Sequence, residues 1–105
     1  MFPEAKQLQE VVRRIREVCY PVRIILFGSS ARGEMGPHSD VDLLVVVPDG
    51  VHRRKTAQAI YRNMIGNAFA VDIIVATVSD LQKYGDNIGL VFYPALREGK
   101  EIYAV

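Results

Sequence analysis

Three short apolar runs constrain this chain more than anything else in it: Val22 to Phe27 (VRIILF), Val41 to Val47 (VDLLVVV) and Val71 to Thr77 (VDIIVAT). All are rich in β-branched residues and bounded by Gly, Pro or polar turns, which is how buried strands read. The stretches around them have a different period. Leu8, Val11, Val12, Ile15, Val18 and Cys19 recur at helical spacing and predict an amphipathic helix over about Pro3 to Cys19. Pro3 suits a first helical turn, and Pro21 stops the helix. A second helix is expected over about His52 to Asn67, with Ala57, Ile60, Tyr61, Met64, Ile65 and Ala68 as its apolar stripe and Gly66 and Asn67 at its end. Ser79 and Gln82 have the spacing of a capping box, so a short helix should begin at Ser79. A last helix is expected over about Asn87 to Glu98, kinked by Pro94. Glu101 to Ala104 then read as a short edge strand. This alternation predicts an α/β fold, a small mixed β-sheet of three to four strands flanked by helices.

Size and charge narrow the function. A chain of 105 residues is expected to form a single domain, 1–105, with one core and little material for a second lobe. An enzyme of this size handling two substrates would keep its chemistry in the core sheet and leave much of the second substrate's recognition to another molecule. Thirteen Lys and Arg stand against twelve Asp and Glu, a formal net charge of +1, with no polybasic tail. That balance argues against generic nucleic-acid binding. The clusters Arg13, Arg14, Arg16 and Arg53, Arg54, Lys55 read as solvated helix faces. Cys19 is the single cysteine, so no intrachain disulfide forms, and a buried structural thiol is the simplest reading. The N-terminal stretch has no signal-peptide layout, and the run from Leu43 to Val47 is too short to span a bilayer. A soluble cytoplasmic protein without a membrane partner is the expectation.

The chemistry concentrates in Gly28 to Leu44, GSSARGEMGPHSDVDLL. Gly28, Ser29 and Ser30 open a turn where the first strand ends, and small residues there let backbone N–H groups approach an anion. Such turns are common, so this one is weak on its own. Asp40 and Asp42 stand two residues apart at the start of the second strand, where alternation points both to one face. Their like charges repel unless compensated. They fit an exposed polar strand start, or a cation site of the kind Mg²⁺ takes, with a few carboxylates plus waters and substrate phosphates. Asp72 is second in the third run, among Val71, Ile73 and Ile74, and a lone buried charge there is costly. It either pairs with an arginine such as Arg23 or joins Asp40 and Asp42 if the two strands are neighbours. Three carboxylates can hold two Mg²⁺ ions for in-line attack at a phosphoryl group. His38 and His52 lack metal-ligand spacing. Arg32 and His38 superficially match a ribonuclease motif that belongs on helices, whereas Gly33, Gly36 and Pro37 make this stretch a loop. Tyr84, Phe92 and Tyr93 read as core aromatics.

Gly28-Ser29, ten residues, then Asp40-Val41-Asp42 resembles the signature of the DNA polymerase β-like nucleotidyltransferase superfamily, and Asp72 matches its third acidic residue. The segments GSSARGE, SDVDLLVV, VDIIVAT and ALREGKEIY are similar to the minimal nucleotidyltransferases, over nearly the whole chain. That group resembles the antitoxin half of HEPN/MNT toxin–antitoxin pairs. The resemblance implies a nucleotidyltransferase fold in which Gly28 and Ser29 bind the β- and γ-phosphates of ATP, with Ser30 and Arg32 beside them. Asp40 and Asp42 would ligate both metals, while Asp72 would complete the metal site and help activate an acceptor hydroxyl. AMP would pass to a tyrosine hydroxyl on a HEPN ribonuclease partner, and pyrophosphate would leave. Many relatives carry a large basic or aromatic residue where this chain has Ser30. Arg32 fits the pattern, as a phosphate contact or as a structural partner of a glutamate. Two other readings stay open: an antitoxin that neutralises by contact alone, and a transferase acting on a small molecule. Retention of all three carboxylates favours catalysis, and the lack of a second domain counts against a small-molecule acceptor.

Overall fold

The computed structural model describes residues 5–28, 41–66, 70–84, 97 and 99–105. Its elements are α1 (Ala5–Val18), β1 (Arg23–Phe27), β2 (Val41–Val47), α2 (Arg53–Arg62), β3 (Val71–Thr77), α3 (Val78–Tyr84) and β4 (Lys100–Ala104). Nearly all of the helix expected over 87–98, with Pro94, Phe92 and Tyr93, lies outside the described residues, as do His38 and Ala68. The strands form one sheet in the order β3-β2-β1-β4. β2 and β3 run parallel with α2 between them in sequence, and β1 runs antiparallel to both β2 and β4. The result is the mixed α/β sheet that the pattern predicts.

β2 is the centre of the core. Val41, Leu43, Val45 and Val47 face one side, against Val11 and Ile15 of α1, Ile60 of α2 and Met64 in the turn after it. Leu44 and Val46 face the other, with Ile25, Phe27 and Ala76, and Val78 and Leu81 of α3 close over them. Cover on both faces is why this strand is apolar at nearly every position. Fully burying each such side chain contributes about 1.5–3 kcal/mol.

β3 departs from its expected burial. Its sequence reads like that of β2, yet only Ile73 and Ala76 are buried and Asp72 is exposed. The reason is position: among the described residues β3 is an outer strand of the sheet, paired with a strand on one side only.

α2 is shorter than expected and turns after Arg62. His52 caps its start, Nδ1 accepting from the Lys55 N–H at 3.2 Å. Tyr61 and Ile65, both assigned to the apolar stripe, are 42% and 83% exposed. α3 begins one residue before Ser79, at Val78, with Thr77 as its cap. Thr77 Oγ1 accepts from the Asp80 N–H at 3.2 Å, and Asp80 Oδ2 accepts from the Thr77 N–H at 2.9 Å. This reciprocal box replaces the one expected at Ser79 and Gln82. Thr77 is also the last residue of β3, so the cap is hidden inside a strand pattern.

Two of the charged clusters tie elements together instead of simply meeting solvent. Arg14 Nη1 donates to the carbonyls of Asn63 at 3.2 Å and Ile65 at 2.9 Å, and Asn63 Nδ2 returns a bond to the Arg14 carbonyl at 2.8 Å. The C-terminal end of α2 is thereby clamped to α1. Arg16 lies over the Tyr103 ring of β4, 5.0 Å from its centroid, and Arg53 pairs with Asp80 at 3.0 Å. Arg13, between Glu10 and Glu17, keeps the solvated role expected of it. Cys19 is half-buried, not fully buried; its Sγ donates to the Ile15 carbonyl at 3.4 Å, and desolvation pushes the thiol pKa up. Among the described residues, no helix is long and apolar enough to cross a membrane.

Candidate active site

Parallel pairing builds the site. The Val41 N–H donates to the Ala70 carbonyl at 3.0 Å. From there the strands run in step, Val41 opposite Val71 and Asp42 opposite Asp72. Register partners on parallel strands point to the same face, here the face of Leu44, Val46, Ile74 and Ala76. Neighbouring strands lie about 4.8 Å apart, so the two carboxylates stand side by side at the N-terminal ends of β2 and β3. Two such charges repel by about 1 kcal/mol at 4 Å through water and about 4 kcal/mol where screening is weaker. Like charges directly abreast weaken a sheet, so stability alone does not account for this placement.

β1 closes the site from the other flank of β2. Phe27 stands opposite Asp42, and the chain then turns at Gly28 with φ +74°. A Cβ on Gly28 would sit 2.3 Å from Asp42 Oδ2 and 3.2 Å from its Cγ. Glycine is therefore favoured twice over, for the left-handed backbone and because a Cβ would push the Asp42 carboxylate out of its present place.

Asp72 lies at the open edge of β3, where α2 reaches round to it. The Tyr61 hydroxyl is 3.1 Å from Asp72 Oδ1 and accepts from the Ile73 N–H at 2.8 Å. The arginine considered as a partner for Asp72 is engaged elsewhere: Arg23 Nε meets Glu101 Oε2 of β4 at 2.7 Å.

Of the residues singled out in the sequence, Gly28, Asp42 and Asp72 come together. Asp40, Ser29, Ser30 and Arg32 lie outside the described residues. Among the described residues no group of three metal-ligating side chains assembles. The two carboxylates present are hard oxygen donors with a small neighbour, and they fit Mg²⁺, which needs few carboxylates and completes its shell with water and phosphate oxygens. Tyr61 was not among the candidates, because it was counted into the apolar stripe of α2. Its hydroxyl was the available signal, since a tyrosine counted into an apolar stripe still needs a polar partner for that group. A cavity of about 940 Å³ lies elsewhere, between α1 and β4, lined by Leu8, Val12, Cys19, Ile102 and Tyr103 among others. It reaches Val22 and Pro48, at the opposite end of β1 and β2 from the carboxylates.

The model of the nucleotidyltransferase domain family matches residues 5–98. This chain belongs to that family. Its four-stranded mixed sheet with flanking helices is a nucleotidyltransferase fold. The domain is 32% identical over 80 residues to the bifunctional uridylyltransferase/uridylyl-removing enzyme of Burkholderia thailandensis, matching 73% of this chain but only 9% of that enzyme. A Sulfolobus solfataricus crystal structure assigned as a nucleotidyltransferase shares the fold at 20% identity and a TM-score of 0.65, over 95% of this chain and 79% of that one. A toxin–antitoxin structure with AMP-PNP does so at 19% identity and a TM-score of 0.57, over 98% of this chain and 75% of that one. At these identities the likeness is one of fold.

Proposed function

We propose that this nucleotidyltransferase domain is a Mg²⁺-dependent protein adenylyltransferase that acts in the cytoplasm as the antitoxin of a HEPN-type ribonuclease, moving AMP from ATP to a tyrosine hydroxyl of that toxin. The observation that carries the reading is the in-register pair Asp42 and Asp72 beside a glycine that makes room for one of them. Family membership supports nucleotidyl transfer, and the fold shared with a toxin–antitoxin structure that holds AMP-PNP supports the partner class.

In this reading Gly28 and Ser29, with Ser30 and Arg32, take the β- and γ-phosphates. Asp40, Asp42 and Asp72 hold two Mg²⁺ ions, which when bound offset the charge of the triphosphate and of the departing pyrophosphate. Asp72 is exposed on an outer strand of the described sheet, where an acceptor would approach. It takes the proton of the acceptor hydroxyl as that oxygen bonds to the α-phosphorus and the bond to pyrophosphate breaks. The domain supplies the nucleotide and metal residues, and the protein acceptor brings the surface that holds it in place.

The test is incubation with α-labelled ATP or UTP, Mg²⁺ and the product of the adjacent reading frame. Label from ATP should appear on that partner with a mass gain of one or more AMP units. Asp42→Asn should cut transfer by more than about 100-fold, since even residues that only support metal ligands are worth 10–100-fold. Full transfer by that variant would sink the catalytic assignment. Full silencing of the toxin by the inactive variant would instead favour an antitoxin that works by contact, and label from UTP alone would move the nucleotide assignment.

A further inference from the structure

We propose that Tyr61 is a positioning residue for Asp72: its hydroxyl ties the carboxylate to the backbone of the same strand and so fixes the side chain for cation binding. The proposal rests on the reading of Asp72 as a metal ligand. Its geometry is a three-part chain. The Ile73 N–H, on the open side of β3, donates to the Tyr61 oxygen at 2.8 Å. That oxygen then has one proton to give, and among the described residues Asp72 Oδ1 at 3.1 Å and the Ile73 carbonyl at 3.4 Å are acceptors within reach of it. The shorter contact, to a charged acceptor, wins.

The chain matters because Asp72 is otherwise poorly held. It sits on an edge strand and is exposed, so packing does not choose its rotamer. The Tyr61 bond chooses one. An ionised carboxylate has lone pairs to spare, so a bond at Oδ1 leaves capacity for a cation. Tyr61 is itself anchored. Ile60 beside it is fully buried, and Arg14 and Asn63 clamp the end of α2 to α1. The aspartate at the sheet edge is thus steadied from the helix layer on the opposite face.

The experiment uses the full chain and Mn²⁺ as probe, titrated in the presence of AMP-PNP. Wild type is compared with Tyr61→Phe, Asp72→Asn and the double variant. Tyr61→Phe should weaken Mn²⁺ binding roughly 10-fold, the lower end of what supporting partners of metal ligands contribute. In the Asp72→Asn background the same change should have no further effect, because a residue acting through Asp72 loses its influence with the charge. An equal loss in both backgrounds would mean that Tyr61 only caps the strand edge, and would overturn the proposal. Full Mn²⁺ affinity of Tyr61→Phe would overturn it too. Failure of the underlying reading looks different: Asp72→Asn alone would then leave Mn²⁺ binding unchanged. Label from ATP found on Tyr61 itself would make that hydroxyl an acceptor and also defeat the positioning role.

Discussion

Two pairs of aspartates flank β2 and β3, one near each end, and they are placed differently relative to each other. Past the C-terminal ends, Asp49 and Asp80 serve the first turn of α3. Asp49 accepts the Ser79 hydroxyl and the Ser79 N–H, the latter at 2.9 Å; Asp80 accepts the Thr77 N–H and the Arg53 guanidinium. The Ser79 hydroxyl holds the Asp49 carboxyl below its ordinary value of 3.8, and the Thr77 N–H does the same for Asp80. At the N-terminal ends, Asp42 and Asp72 stand abreast of each other, one against a glycine and the other against a tyrosine hydroxyl. Carboxylates that serve the fold end on donors of a helix start, where charge and hydrogen bonds both favour them. The pair at the other end adds repulsion to the sheet, and a bound cation would relieve it.

The contrast is broken most sharply at Gly28. Gly28→Ala meets both a left-handed φ and the 2.3 Å approach to Asp42 Oδ2. The backbone cost alone is about 1–2 kcal/mol, worth roughly 4–8 °C in Tm per kcal/mol for a domain of this size. Displacement of the carboxylate should also lower Mn²⁺ affinity by more than about 10-fold, a loss comparable with that of a ligand's support. Calorimetric titration and a melting curve read both effects. An alanine variant with full Mn²⁺ affinity would show that the glycine serves only the turn.

Thr77→Ala tests the other end. Loss of the cap should cost about 1 kcal/mol, a shift of several degrees in Tm, with Mn²⁺ affinity untouched. A matching loss of Mn²⁺ affinity would mean that the two ends are not independent.

The smallest effect is a pH dependence. Asp49 is lowered in the folded state, so its contribution is fully present above the unfolded value of 3.8. It declines as pH falls through that value toward the lower folded one. Asp49→Ala should therefore shift the urea midpoint down at neutral pH and leave it nearly unchanged in strong acid. A shift of equal size at both pH values would place the contribution of Asp49 in packing instead of charge.

Comparison of β2 and β3 also shows what sequence patterning conveys. VDLLVVV and VDIIVAT have almost the same pattern, and both were legible as strands with matching boundaries. Their environments differ because one is central and the other is at the edge. Strand order is set by long-range pairing, which a local window does not contain. The same limit explains Tyr61 and Ile65. Periodicity put them in the stripe of a longer helix, but α2 ends at Arg62, so Ile65 lies in the turn beyond it, and Tyr61 is directed to the edge of β3. The cap of α3 was missed for a local reason, since Thr77 serves strand and helix at once.

The sequence alone determined the types of the described elements and the mixed α/β class, and it named Gly28, Asp42 and Asp72 as candidates, because β-branched runs, breakers and motifs are read along the chain. Only the tertiary structure decided that β3 pairs parallel to β2 in a register that sets Asp42 beside Asp72. It alone showed that the missing Cβ of Gly28 is room for a carboxylate, and that a helix from the opposite layer reaches round the sheet edge to hold Asp72. Register, close approach and edge position are properties of pairs of segments far apart in the chain, and those become definite only when the chain is packed.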